Sequence, residues 1–347
     1  MRALVLSDLH IEDKSRWSTT DQNEDLEFLL EQLKAMPEET FDVDCILVCG
    51  DTTDRPRENA NVVKHLQRLF EAVNPNKRPV YVINGNHDTG KDNYLTAVCG
   101  ATHVGGQQIQ VKDKTIAFLD YTNNLDAARE FLKTATADIL VIHQSSAPFI
   151  DLKIEDLPIL HVEDYPDNKL CFVGDTHIAG IYTDKNKFIV SPGTLYPHNK
   201  TEIINEDNYL ILLDTDNLQE PVKAIMLEKR PGIALESKKS IESIKSSVEN
   251  FLSSESHLRP IIWVPDFMSD VYKTDDRAIF KFVATYSESP DVDVDQVDTL
   301  DILQVINASL DLTECKNDKV REAAFNIIKT FAETEDPYSV DLDGSDV

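Results

Sequence analysis

"VYVINGNHD", residues 80–88, decides the fold of this chain. Its first four residues are β-branched or aromatic and suit a pleated, buried surface. Its last four, Gly85, Asn86, His87 and Asp88, bury nothing; Gly, Asn and Asp are also the ordinary residues of turns. A buried strand that stops on a polar cluster is how open α/β sheets build their sites, at the carboxyl ends of strands. The same pattern recurs in "ALVLSD" (3–8), "CILVCGD" (45–51), "DILVIHQ" (138–144) and "LCFVGDTH" (170–177), with further apolar runs at "TIAFLD" (115–120), "FIVSPGT" (188–194) and "YLILLD" (209–214). Continuous rather than alternating apolar runs predict strands covered on both faces. Between the first two, "NEDLEFLLEQLKAM" places Leu26, Leu29, Leu30 and Leu33 on one helical face, and "ENANVVKHLQRLFEAV" fills the next gap similarly. The expectation is a layered α/β domain over residues 1–230.

After "EKRPG" (228–232) the texture changes. "ESKKSIESIKSSVENFLSSES" predicts an amphipathic helix, and "RPIIWVPDF" and "AIFKFVATY" predict two strands, together a small α+β domain over 231–290. Residues 291–347 hold fifteen acids against four Lys or Arg. They divide into an acidic linker, two amphipathic helices ("TLDILQVINASL" and "KVREAAFNIIKTF") and an acidic tail. The tail reads as solvated chain. The helices, with Leu300, Ile302, Leu303, Val305 and Ile306 on one and Val320, Ala324, Ile327, Ile328 and Phe331 on the other, are too apolar to face water and predict a partner surface.

At 347 residues with 41% hydrophobic content the chain can build more than one core. No apolar run approaches the roughly 20 residues of a membrane span, and the opening "MRALVLSDLHIED" turns acidic early for a secretory signal. A cytoplasmic protein without a membrane role is expected. Cys45, Cys49, Cys99, Cys171 and Cys315 form no paired framework and read as small hydrophobes. The net charge of −28 opposes unaided binding to a polyphosphate, which relies on Lys and Arg. Any contact with DNA has to be local, metal-assisted or shared with a basic partner.

Five polar clusters follow predicted strands. In "SDLHIE", Asp8 and His10 are two apart and share a face at a strand end. In "CGDTTD", Asp51 offers two oxygens, enough to bridge two ions about 3.5–4 Å apart. "GNHD", His143 in "VIHQ", and Asp175 with His177 in "VGDTHI" complete the set. Alone, an Asp-X-His pair is an ordinary cap and "GNHD" an ordinary turn. Jointly and in this order, carboxylates, an amide oxygen and imidazoles suit a pair of divalent ions such as Mn²⁺, Fe²⁺ or Zn²⁺.

The ordered set resembles the calcineurin-like metallophosphoesterases, whose signature runs D-x-H, G-D-x-x-D, G-N-H-[DE], H, G-H-x-H. The resemblance implies a β-sandwich flanked by helices, and a first metal on Asp8, His10, Asp51 and His177. It implies a second metal on Asp51, Asn86, His143 and Asp175. Asp175 stands where the family has His, which leans the expected ions to Mn²⁺, with Mg²⁺ admissible, over Zn²⁺. By the same resemblance His87 protonates the departing alkoxide, Asp88 orients the His87 ring, and a metal-activated water attacks phosphorus.

The length beyond this core resembles the nuclease subunit of SbcCD-type DNA repair complexes, especially compact bacteriophage versions. That implies a DNA exonuclease/endonuclease with a small capping domain, and C-terminal helices docked on an SMC-like ATPase of the SbcC type; a homodimer is compatible with it. Arg16 and Trp17 in "KSRWS", and Arg55 with Arg57 in "DRPRE", read as DNA contacts or as solvated loop residues. His198 in "LYPHN" reads as reaching the cleft or as a surface histidine. Asp54 stands where the repair nucleases often carry a phosphate-binding His, and a carboxylate there repels substrate unless protonated or paired. A stand-alone phosphatase or nucleotide phosphodiesterase, and a non-catalytic binding subunit, are the competing readings.

Overall fold

A computed structural model of the chain describes residues 1–14, 23–55, 58–88, 94–150, 159–184, 186–217, 219–235, 239–253 and 256–283. The chain divides into two units, Met1–Thr285 and Tyr286–Val347, and every described residue belongs to the first. The expected acidic linker, helix pair and tail of 291–347 therefore lie outside the described residues, as do Arg16, Trp17 and Arg57.

The strands are β1 (Arg2–Leu6), β2 (Cys45–Val48), β3 (Val80–Val82), β4 (Thr102–His103), β5 (Gln108–Val111), β6 (Lys114–Leu119), β7 (Ile139–His143), β8 (Leu170–Gly174), β9 (Gly180–Asp184), β10 (Lys187–Ser191), β11 (Asn208–Asp214), β12 (Val222–Leu227), β13 (Gly232–Ala234), β14 (Ile261–Pro265) and β15 (Ile279–Val283). The helices are α1 (Glu24–Ala35), α2 (Ala60–Val73), α3 (Tyr94–Val98), α4 (Leu125–Thr134), α5 (Lys200–Asn205), α6 (Ile241–Leu252) and α7 (Ser269–Tyr272).

The fold is mixed α/β, with two six-stranded sheets ordered β12-β11-β1-β2-β3-β4 and β5-β6-β7-β8-β10-β9. β1–β4 in the first and β6, β7, β8 and β10 in the second run parallel, and the pairs β1/β11, β11/β12, β5/β6 and β9/β10 are antiparallel. The sheets bury their inner faces in one core, with Val5 and Leu47 from the first and Phe118, Val141, Phe172 and Val190 from the second. The outer face of the first sheet takes Leu26, Leu30 and Leu33 of α1 and Leu66, Leu69 and Phe70 of α2. The outer face of the second takes Ala128 and Leu132 of α4. Each fully buried Leu or Phe contributes roughly 1.5–3 kcal/mol, so helices with such apolar faces are fixed by the sheets rather than by propensity. α1 and α2 each begin on an asparagine whose side-chain oxygen caps the first turn, Asn23 for α1 and Asn59 for α2.

A third, three-stranded parallel sheet, β13-β14-β15, carries its own core with Ile244 and Val248 of α6 and Met268 and Tyr272. The segment entering it is held by Arg230, whose side chain is wholly buried. Its Nε donates to Asp25 Oδ1 at 2.8 Å, one terminal nitrogen to Glu24 Oε2 at 3.0 Å and the other to the Arg259 carbonyl at 2.7 Å. Arg230→Met takes the cation from the buried Asp25 carboxylate. The expected loss is about 3–5 kcal/mol of unfolding free energy in urea, the usual cost of breaking a buried pair from one side, with Asp25→Leu in the same chain recovering most of it.

Candidate metal centre

The centre is assembled from strand ends of both large sheets. β1 runs into Asp8 and His10, β2 into Asp51 and β3 into Gly85–Asp88; in the second sheet β7 ends on His143 and β8 runs into Asp175 and His177. The loops of the first sheet bind each other. Asp8 N donates to the Gly50 carbonyl at 3.1 Å, His10 N to Asp51 at 3.0 Å and Ile11 N to Thr52 at 3.2 Å. Across the sheets, Asp175 N donates to Asp8 Oδ1 at 3.0 Å.

The backbone is held in an unfavourable region to do this. Asp8, His10, Asp51, Asp175 and His177 have φ of 48°, 39°, 50°, 80° and 57°. Side-chain-bearing residues rarely adopt this left-handed conformation, and it persists where surrounding structure imposes it, most often at functional sites. Gly85 is required for a different reason: a Cβ there would collide with the Asp51 carboxylate.

Two sets of ligand atoms converge, sharing one oxygen. In the first, His10 Nε2 lies 3.1 Å from His177 Nε2 and 3.5 Å from Asp51 Oδ2, and His177 Nε2 is 3.9 Å from Asp8 Oδ1. In the second, His143 Nε2 lies 3.3 Å from the same Asp51 Oδ2, 3.7 Å from Asp175 Oδ1 and 3.0 Å from Asn86 Oδ1. The Asn86 amide presents this end 3.1 Å from Asp51 Oδ2 and 3.3 Å from Asp175 Oδ1. The end of the Asn86 side chain, His143 Nε2 and the Asp51 and Asp175 oxygens thus converge on one point, and in the first set two imidazole nitrogens meet head on.

Two of the three outward nitrogens agree. His143 Nδ1 donates to the Cys49 carbonyl at 2.6 Å and His177 Nδ1 to Glu202 Oε1 at 2.8 Å, whereas His10 Nδ1, 3.8 Å from Asp54 Oδ1, makes no hydrogen bond among the described residues. Pinning Nδ1–H leaves the Nε2 lone pair directed inward, the arrangement that metal-ligating imidazoles adopt. The donor set therefore fits two divalent cations, with Asp51 common to both sets.

Electrostatics point the same way. Burial pushes Asp8 up to about 6, against the pull of the His143 and His177 imidazoles. Burial disfavours protonated His143, yet the Asp51 charge and hydrogen bond hold it well above its ordinary value. His177, 27% exposed, is raised to about 9 despite desolvation, by Glu202 and then Asp8. His10 is lowered by burial and by the surrounding imidazoles. A crowded carboxylate cluster draws protons, and a bound cation replaces them.

His87 lies in this group, its ring 4.8 Å from that of His10 and edge-on to it. Its Nδ1 donates to the Asp54 carbonyl at 2.7 Å, and its backbone N to Asp51 Oδ1 at 2.9 Å. Asp88 does not orient the His87 ring, contrary to the expectation from sequence. Its carboxylate turns inward and accepts from Gly85 N at 3.0 Å and Thr52 N at 3.2 Å, because the turn leaves those amides buried and in need of an acceptor. Burial and then the Asp51 charge raise it to about 6. His198 is not a surface histidine but a buried one, its ring centroid 5.3 Å from His10 and 6.3 Å from His177. Arg55 is 78% exposed, with Nε 3.8 Å from Asp54 Oδ2. Glu202 escaped the sequence reading; the available signal was Asn199 three residues ahead of an acid, the pattern of a helix N-terminus.

Residues 1–217 match the model of the calcineurin-like phosphoesterase superfamily domain. No curated protein matches the chain. Among solved structures, an archaeal phosphodiesterase is similar at 13% identity and a TM-score of 0.38, over 65% of this chain and 100% of that one. Wild-type Vps29 from Entamoeba histolytica, complexed with zinc, is similar at 14% identity and a TM-score of 0.33, over 65% and 98%. Among the described residues no helix is long and apolar enough to cross a membrane.

Proposed function

The chain belongs to the calcineurin-like phosphoesterase superfamily, and from that premise we propose that it is a metal-dependent DNA phosphodiesterase, the exonuclease/endonuclease subunit of an SbcCD-type repair or recombination complex. Membership of the superfamily supports phosphoester hydrolysis. The observation that carries it is the shared Asp51 Oδ2, 3.5 Å from His10 Nε2 and 3.3 Å from His143 Nε2.

Asp8, His10, Asp51 and His177 would hold one cation, and Asp51, Asn86, His143 and Asp175 the other. Mn²⁺ is our assignment, with Mg²⁺ the alternative, because oxygen donors outnumber nitrogens at the second position. The chemistry that two such ions would supply when bound is charge stabilisation of the phosphoryl oxygens and a lowered pKa for the attacking water. His87, with Nδ1–H committed to the Asp54 carbonyl, presents Nε2 to the departing ester oxygen and protonates it. His198 lies beside His10 and His177 and meets a non-bridging phosphate oxygen, and Arg55 reaches the strand backbone. Arg16 and Trp17 are assigned further contacts to DNA. Residues 1–230 form the nuclease domain, 231–290 a capping domain and 291–347 the segment that engages an SMC-like ATPase in the cytoplasm. Sharing DNA with such a partner answers the net charge of −28.

A second reading, a phosphodiesterase for nucleotides or other small esters, is favoured by the partly exposed Asp54 carboxylate beside His10. One assay separates the two. Linear duplex DNA and bis-(p-nitrophenyl) phosphate are offered to the purified full chain with Mn²⁺, Mg²⁺ or EDTA. We expect shortening of the DNA with Mn²⁺ and none with EDTA; hydrolysis of the small ester alone, even with the ATPase partner present, overturns the DNA assignment.

Asp175 decides the second cation position. Its Oδ2 accepts a hydrogen bond from Ser145 Oγ, which aims Oδ1 inward. Asp175→Ala is expected to weaken the second Mn²⁺ by more than the roughly 10–100-fold typical of an outer partner, and Asp175→His to retain it. Calorimetric titration reads both; equal affinity in the wild type and the alanine variant shows a structural carboxylate.

A further inference from the structure

Glu202 is a buried carboxylate on α5, and its two oxygens face the metal centre while its neighbour faces the third sheet. Oε1 accepts from His177 Nδ1 at 2.8 Å and from Asn199 Nδ2, and Oε2 accepts from His198 N at 2.5 Å. The next residue, Ile203, packs with Ile261, Trp263 and Ile279, one from β15 and two from β14. Gly232 of β13 touches the same side chain so closely that a Cβ there would run into Ile203 Cγ2. Lys229, just ahead of β13, closes the other end by donating to the Glu202 and Glu206 carbonyls. α5 is thus a single short helix clamped between the three-stranded sheet and one ligand of the metal pair.

We propose that Glu202 is a positioning residue for His177, and that the three-stranded sheet tunes cation affinity at the His10/His177 position through the seat of α5. The proposal rests on the metal assignment above. A carboxylate on the outer nitrogen of an imidazole ligand fixes its tautomer and orientation and raises its basicity. Gln at 202 keeps a carbonyl acceptor for Nδ1–H but removes the charge, and its amide nitrogen faces the backbone N of His198. Crowding at Gly232 acts one step further out, by shifting Ile203 and with it the helix that carries Glu202.

The test is a Mn²⁺ titration of the full-length chain by calorimetry, with thermal melting of the metal-free protein alongside. Wild type binding two ions is the control on the assignment itself; its failure would reject that reading before any variant is compared. Glu202→Gln is expected to weaken one of the two ions by about 10–100-fold and leave the other unchanged. Gly232→Ala is expected to weaken the same ion on the order of 2–30-fold, the size of coupling carried through intermediate residues. In the double variant the Gly232→Ala effect should vanish, since its route passes through Glu202. Unchanged affinity in either single variant, equal weakening of both ions in step with a fall in melting temperature, or additive effects in the double variant overturns the proposal.

Discussion

Asp51→Asn removes both cations and lowers phosphodiester hydrolysis by roughly 10³-fold or more, the largest loss expected from any single substitution in this chain. The reason is the shared oxygen. Asp51 Oδ2 lies 3.5 Å from His10 Nε2 and 3.3 Å from His143 Nε2, so neutralising it weakens both positions at once. An amide at this site keeps an oxygen for the His87 backbone N–H, which Asp51 Oδ1 now accepts at 2.9 Å, and the turn therefore survives. Its NH₂ cannot bridge two cations. Metal content after dialysis and turnover on the small ester are measured together: both should fall while the circular dichroism spectrum is unchanged. Retention of one tightly bound ion would show that the two positions do not share Asp51.

His87→Ala is expected to leave two cations in place and cut turnover by a factor on the order of 10²–10⁴, the usual contribution of a general acid. The ring sits 4.8 Å from that of His10, near enough to serve either as a ligand or as a proton donor. Its Nδ1–H is committed to the Asp54 carbonyl, which leaves one nitrogen for the reaction. Metal content distinguishes the roles. A variant that loses an ion along with its activity marks His87 as a ligand; a slow variant with both ions, whose deficit shrinks for esters with good leaving groups, marks it as the acid.

The parts of the fold written in apolar runs were legible in the sequence. The strand of "CILVCGD" and the leucines of α1 are buried as the patterning requires, since covered parallel strands and one-sided helices leave few alternatives. β4, β5 and β9 were not foreseen. They are short or polar edge strands such as "QIQV", whose existence depends on the neighbour they pair with. β13 likewise is three residues long and defined by its parallel partner β14.

The site divides in the same way. Asp8, His10, Asp51, Asn86, His143, Asp175 and His177 announced themselves by following strands, and the structure brings them within reach of one another. What sequence could not supply was the layer behind them. Adjacency suggested that Asp88 serves His87, yet a tight turn points successive side chains apart, and Asp88 instead satisfies buried amides. Glu202 lies 25 residues beyond His177 and meets it only because α5 folds back over the strand ends. The left-handed backbone at five ligand positions is also a product of packing, invisible in residue type alone.

The most direct test of the two-cation centre is low-temperature electron paramagnetic resonance of the full-length chain loaded with two equivalents of Mn²⁺. Two Mn²⁺ ions about 3.5–4 Å apart that had Asp51 as a common ligand would be exchange-coupled. The expected result is the multiline spectrum of a coupled pair that collapses in Asp51→Asn. A spectrum of isolated Mn²⁺ in the wild type, at full loading, would contradict the account.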